Sequence, residues 1–548
     1  MRSEMSKSGS DFQRCKSLAK KIKMQRSPPW PSTPTFALPE KDVADKLVDG
    51  YLRTIETVYR VLNISNFREQ YNVLWSSTAE PDMAFTIQLK LVLAIGAIVY
   101  DDQFSLRTSA VRWVHEAQTW LLQPVYKSRL TIQSLQTEIL FLFARELVAV
   151  GGELVYISAG SLFRAAVHMG LHRDPSQLAN MAPLAAEMRR RLWNTVLEIT
   201  LQSSMDSGGP PFISLDDFDT APPGNFDDQQ LMTDNPIPKP DTCYTQTSIS
   251  IALRKSFPLR LAIAKFLNNI DSKCSYDETL NLDRGLRSSY KSLCQSLQAY
   301  SKKAGPVFCC FEIGAVHMIM GRYHIALHVP FFASSLQDAS YAFSRQAVTE
   351  AALKIWGVAQ PSALVPASTQ TDTSSPHEEE EQVDLIRFAV CGAGFFRTIV
   401  LQASYLITAE LRAELHDNQG LGLVHVRRDF FSVLEHAKSL TISCTEAGET
   451  NIKHYLLLSV LSAQVDGLMQ GLPRAASPQL LIDTAKVATA TCAKLLEHQA
   501  LRFDQDAIVE GERLDQMLWG TSSTFVEGWE FMVRQCRVQA FLDYRLTI

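Results

Sequence analysis

Apolar residues recur at three- and four-residue steps through most of this 548-residue chain, and no stretch alternates convincingly as a half-buried strand must. In "VADKLVDGYLRTIETVYRVL" the stripe is Val43, Leu47, Tyr51, Ile55, Val58 and Leu62. In "LTIQSLQTEILFLFARELVAV" it is Ile132, Leu135, Ile139, Leu142 and Leu147. "MAFTIQLKLVLAIGAIVY" is apolar nearly all round, which places it in the middle of a helical bundle. Further helices are expected at about 153–170, 185–205, 245–271, 277–303, 308–328, 338–358, 382–415, 424–447, 451–469, 477–499 and 525–541. Glycine and proline are expected between these segments rather than inside them. The expected fold is therefore all-α, a large multi-helix assembly in two lobes without significant sheet, around a continuous or nearly continuous core.

Two segments break the period. Residues 206–241 are rich in Pro, Gly and Asp and read as an irregular excursion, and 360–382 reads as a disordered acidic loop ending on Glu378 to Glu381. The resulting division is a flexible basic tail at 1–35, a regulatory domain at 36–359, that loop, and a C-terminal helical lobe at 383–548. The longest apolar run, Leu91 to Tyr100, is far shorter than the roughly 20 residues of a membrane span, so a soluble protein is expected. The ten cysteines include no C-x-x-C pair, which argues against a cysteine-rich zinc module and for a reducing compartment. Net charge is -5, yet residues 1–26 carry eight basic side chains against two acidic ones. Lys16, Lys20, Lys21, Lys23 and Arg26 are the candidates there for DNA phosphate contacts or a nuclear-import signal; the competing reading is a solvated tail.

The stretch "GSLFRAAVHMGLHRDPSQL" offers three chemical readings. His168 and His172 have metal-binding spacing, but Gly170 between them is a helix stop and Asp174-Pro175 prevents continuation. His168 is thus expected in a last helical turn and His172 beyond it. A kinase-like catalytic loop needs Asn where Ala179 stands, and no glycine-rich phosphate loop or D-F-G accompanies the H-R-D. No G-x-S-x-G elbow occurs, and "CGAGFF" and "QGLGLVH" each lack the third glycine of a dinucleotide fingerprint. His317, His324 and His328 share a helical face, but their apolar neighbours suggest a semi-buried helix rather than a metal trio. Arg189, Arg190 and Arg191 fan over about 200° of a helix and cannot make one flat phosphate patch. Their expected role is to hold carboxylates on neighbouring segments, with Asp216, Asp217 and Asp219 as candidates. No catalytic, cofactor-binding or metal-binding residue is assigned.

Taken in order, these motifs resemble the middle homology region of fungal-specific transcription factors. The match lies at Gly170, Leu171, His172, Arg173 and Asp174; at Glu187, Arg189, Arg190, Arg191 and Trp193; and at Gly209, Pro210, Asp217, Asp219, Pro223 and Asn225. "DKLVDGYLRTIETVYRVLNISNFREQY" resembles that family's entry helix, and "GRYHIALHVPFF" its Tyr-His-x-x-x-Leu-His-x-Pro-Phe helix. The resemblance covers about 35–360. It implies a nuclear transcriptional regulator of a specialised gene cluster, secondary metabolism being the family's habit. Partners implied are the transcription machinery or a related DNA-binding factor, as a homo- or heterodimer, with no membrane. The six-cysteine zinc cluster of such factors is not found, so zinc is expected only with that module, and DNA contact is expected to be weak or through a partner. The rival readings are an inhibitory partner of a full-length relative and an all-α enzyme using Glu187 or Asp217 with the histidines.

Overall fold

The computed structural model describes residues 2–77, 81–123, 130–178, 181–269, 275–304, 309–360, 376–417, 427–471 and 477–509. Among them the chain is all-α, with helices, short 3-10 turns and no strand. The expected helix at 525–541 lies outside the described residues, as does 361–375 of the expected loop.

The apolar run forms α5 (Met83–Gly96), buried along nearly its whole length. Asp82 caps it by accepting from the amides of Ala84 and Phe85. Packed against it are α2 (Lys41–Leu52), α6 (Arg107–Leu121) and α7 (Ile132–Val148). The α2 crossing is close enough that a Cβ on Gly96 would stand 1.9 Å from the Leu47 carbonyl oxygen. Lys90, buried within α5, is paired with Glu116 of α6 at 2.5 Å and donates to the Thr35 carbonyl at 2.6 Å. A charge so placed costs several kcal/mol unless paired, and here the pairing ties residues near Thr35 to the bundle. The stretch expected as a flexible tail, 1–35, is helical over most of its length. Residues Arg2–Arg26 form α1, and the proline-rich stretch after it is held by Thr35 and by Trp30 against His115.

The entry stripe is right about burial and wrong about continuity. Leu47, Tyr51, Ile55, Val58 and Leu62 are all buried, but the helix breaks into α2 and α3 (Ile55–Tyr59). Thr54 donates back to the Gly50 carbonyl at 2.5 Å, and Arg60 adopts a left-handed conformation at φ 50°. After α3 and α4 (Ile64–Ser76), α8 (Val155–His168) packs on α9 (Pro183–Ser207), the helix of the three arginines. Then follow α10 (Ser248–Leu267), α11 (Tyr276–Ala304), α12 (Cys310–Ser335) and α13 (Ala342–Ala359). Pro258 and Pro330 lie inside α10 and α12, against the expectation that prolines fall between helices.

Part of the expected acidic loop is helix: α14 runs Pro376–Val390. The helix expected over 382–415 is divided, because Ala393 donates its amide to the Leu147 carbonyl and Gly394 takes φ 70° before α15 (Phe395–Asp417). The interior is not divided at this point. Phe311 of α12, Phe388 of α14 and Phe396 of α15 pack as tilted rings with centroids 5.0–5.5 Å apart. One apolar core runs from Ala44 to Val465. The chain continues through α16 (Arg428–Glu446), α17 (Lys453–Met469) and α18 (Ser477–Val509). A small second cluster joins Cys15 and Ile22 of α1 to Cys492, Ala493, Leu496 and Ala500 of α18. No helix among the described residues is long and apolar enough to cross a membrane.

Candidate functional site

The stretch around His168 is a helix end. α8 stops at His168, Gly170 takes φ 76°, and the amide of Leu171 donates to the Ala166 carbonyl at 3.0 Å. His172 packs its ring 6.4 Å from Trp193, which is buried among Phe163 and Phe218 as well. Asp174 then gathers the following loop. It caps the turn at Pro175–Gln177, accepts the Ala221 amide at 2.9 Å, and takes both prongs of the Arg190 guanidinium at 2.8 and 3.0 Å. The Arg190 hydrogen bonds hold its carboxyl well below the usual carboxylate range. Asp219 accepts the Asp174 amide at 2.8 Å and pairs with Arg173.

Beneath this lies a fully buried charge node. Arg191 donates to Asp228 at 2.5 Å and to Glu187 at 3.2 Å; Arg60 donates to the same Asp228 oxygen at 2.7 Å. Asp228 also accepts the Ile64 amide at 2.6 Å, and Glu187 accepts the Gly224 amide at 3.1 Å. Glu56, 3.7 Å from Arg60, accepts from Tyr51 Oη at 2.6 Å and from the amides of Val61 and Leu62. Two guanidiniums and three carboxylates thus lock the entry helices, α9 and the 206–241 excursion together. The arginines hold carboxylates as expected, but the partners are Asp174, Glu187 and Asp228; Arg189 instead donates to the Met169 carbonyl. Asp216 and Asp217 are exposed. Of the acids suggested for catalysis, Glu187 is buried in this node while Asp217 lies at the surface. Arg60 and Glu56 carried no signal in the sequence, because the fold brings them to Asp228 across 168 and more positions.

Burial raises the Glu56 carboxyl from 4.5 to about 7, opposed by Arg60 and Tyr51. A folded-state value above the unfolded one gives stability that is fully present below 4.5 and lost as pH rises through about 7. Urea unfolding at pH 5 and pH 8 is expected to show that the difference in stability between wild type and Glu56→Gln falls across this window. A pH-independent difference would refute the assignment.

The histidines of α12 do share a face. His324 and His328 place Nε2 3.6 and 3.1 Å from one oxygen of Asp283, which also accepts from Arg287. His317 meets the Tyr290 hydroxyl through Nδ1. Among the described residues no group of three His, Cys, Asp or Glu side chains is arranged to hold a metal ion. The cleft beside them, lined by Tyr290, His317, His324 and Lys354, holds about 20 Å³, room for a water molecule.

On α1 the candidate cations separate. Lys16, Lys20, Lys21 and Lys23 are exposed, with the Lys16 ammonium 5.0 Å from the Phe12 ring. Arg14 pairs with Glu497 across to α18. Arg26 turns inward, donating to the Gly448 carbonyl at 2.6 Å, and burial pushes its guanidinium down to about 9. It is therefore removed from the outward basic face. Lys453 of α17 joins that face: burial, then the charges of Lys16 and Lys23, lower its ammonium. No local pattern marks Lys453, which is more than 400 positions from α1.

The charge node lies wholly within residues 48–299, which match the fungal specific transcription factor domain. Transcription factor lepE of Aspergillus flavus is 32% identical over 485 residues, covering 84% of this chain and 56% of that protein. Residues 48–299 belong to the fungal specific transcription factor domain family. This transcription factor domain is also similar to transcription factor asR3 of Sarocladium schorii, 30% identical over 81% of the chain and 55% of the relative. The aspyridones cluster regulator apdR of Emericella nidulans is 27% identical over 77% of the chain and 57% of the relative. The chain thus spans little more than half the length of these relatives. No solved structure matches it.

Proposed function

We propose that this chain is a regulatory scaffold that controls transcription of a fungal secondary-metabolite gene cluster from the nucleus. The observation that carries the reading is the family domain at 48–299, whose matched motif residues close the charge node rather than open a reactive cleft. The likeness to the aspyridones cluster regulator supports the kind of target. The scaffold acts through protein partners, the transcription machinery or a related DNA-binding factor, as a homo- or heterodimer, and carries no catalytic or cofactor site of its own. Its own contact with DNA is weak and made through phosphates, by Lys16, Lys20 and Lys23 of α1, with Lys21 beside them and Lys453 adjoining.

Deletion of the gene followed by transcript profiling tests the regulatory reading; it fails if no co-located set of biosynthetic genes changes. The DNA contact has its own measurement. Replacing Lys16, Lys20 and Lys23 together with glutamine is expected to weaken binding to duplex DNA irrespective of sequence. It should also reduce the slope of log K against log salt by about 2–3. Unchanged affinity and slope would remove α1 from the interface.

A further inference from the structure

The lysine stripe of α1 ends on a hydroxyl. Lys16, Lys20, Lys23 and Ser27 follow one another at steps of four, three and four. At 3.6 residues per turn they fall within about 60° of the helix surface. Ser27 is the first residue past α1, yet its amide still makes the helical bond, donating to the Lys23 carbonyl at 3.1 Å. Its hydroxyl donates to the same oxygen at 2.9 Å, and the side chain is exposed. Pro28 follows and has no amide with which to continue the helix. From there to Glu40 the chain is a strap without helix or strand. Pro29 and Trp30 are exposed, whereas Ser32 is buried and donates to the Pro29 carbonyl at 2.8 Å. A residue before proline is steered from helical towards extended backbone, the form in which a protein kinase takes its acceptor. Proline in the next position also offers no N–H, so the enzyme must be of the class whose pocket accepts proline there. Ser32 has neither feature, being buried and followed by Thr33. Thr33 is exposed and precedes Pro34, but it lies well past the end of α1 and off the lysine stripe.

We propose that Ser27 is a phosphorylation site for a proline-directed protein kinase, and that its phosphoryl group turns off the lysine face of α1. In the step, Ser27 Oγ forms a bond to the γ-phosphorus of ATP, the bond from that phosphorus to the bridging oxygen breaks, and ADP leaves. The hydroxyl proton passes to the kinase's catalytic carboxylate. Ser27 thereby loses the hydrogen that it gave to the Lys23 carbonyl and gains a charge of about -1.5 to -2 at pH 7. That charge stands one helical turn from Lys23, at the negative end of the α1 dipole, where only a nearby cation offsets it. Arg26 is held inward by the Gly448 carbonyl, so Lys23 is the cation that turns to the phosphoryl oxygens and is withdrawn from DNA. The effect on DNA rests on the phosphate contact proposed above for this face; the modification itself does not.

The test incubates the full chain with magnesium ATP and a purified mitogen-activated protein kinase or, separately, a cyclin-dependent kinase, and maps the products by mass spectrometry. Phosphate on Ser27 and none on Ser32 is expected. The treated protein is then expected to bind duplex DNA about fivefold or more weakly at low salt, with a smaller salt slope. Ser27→Ala should bind DNA equally before and after treatment, while Thr33→Ala should respond as the wild type does. No phosphate on Ser27 with either kinase overturns the site. Phosphate on Ser27 with unchanged DNA affinity, where the triple lysine variant does weaken binding, overturns the effect on the lysine face. If the lysine variant binds DNA as the wild type does, the fault lies in the DNA reading, and the mapping alone decides the site.

Discussion

Arg191→Ala is expected to lower the unfolding free energy by about 3–5 kcal/mol, the cost of breaking a buried pair and leaving its partner charged. The guanidinium is fully buried and reaches Asp228, Glu187 and the Phe226 carbonyl at 2.5–3.5 Å. Removing it leaves Arg60 as the one guanidinium of a buried node that holds three carboxylates, Glu56, Glu187 and Asp228. The wild-type node holds one net negative charge by formal count, and the variant would hold two. Equilibrium urea unfolding checks the value, and a loss below about 1 kcal/mol would show that the node relaxes or hydrates. Lysine at the same position is expected to recover only part of the loss, because one ammonium cannot fork between Asp228 and Glu187.

Gly96→Ala is expected to destabilise the chain by about 3 kcal/mol or more, at or beyond the upper end of overpacking costs. The added methyl would lie 1.9 Å from the Leu47 carbonyl oxygen and 2.7 Å from its carbon, so α2 must move as a backbone. The neighbouring Gly50→Ala provides an internal comparison. Its Cβ meets Val99 Cγ2 at 2.8 Å and the Gly96 carbonyl oxygen at 3.2 Å, and a valine side chain can rotate where a backbone cannot. Gly50→Ala should therefore cost clearly less. Equal losses for the two would mean that the α2–α5 crossing is looser than its geometry. Thermal unfolding of both variants decides it.

Where helical period alone was the guide, the reading of the fold succeeded best. Leu135, Ile139, Leu142 and Leu147 all lie inward on α7, and α5 is buried almost all round. It failed where a helix-forming segment is interrupted from outside. The division between α14 and α15 comes from the Ala393 amide finding the Leu147 carbonyl, and α1 is ordered by a surface of α17 and α18 far along the chain. Of the site, the arginine triplet and its need for carboxylates were legible, because consecutive guanidiniums on one helix cannot share one ligand. Which carboxylates they take was not. Asp174 is reached by a bend at Gly170, and Asp228 by the path of the 206–241 excursion. The basic tail was legible as charge, whereas the inward turn of Arg26 depends on Gly448 and Arg107 being brought beside it.

By itself the sequence determined an all-helical chain and which residues must leave water, because apolar period and local stop signals act over a few residues. Tertiary structure alone decided how the buried charges pair and which lysines face outward. Those outcomes depend on distances between residues hundreds of positions apart, which only the packing of the helices sets.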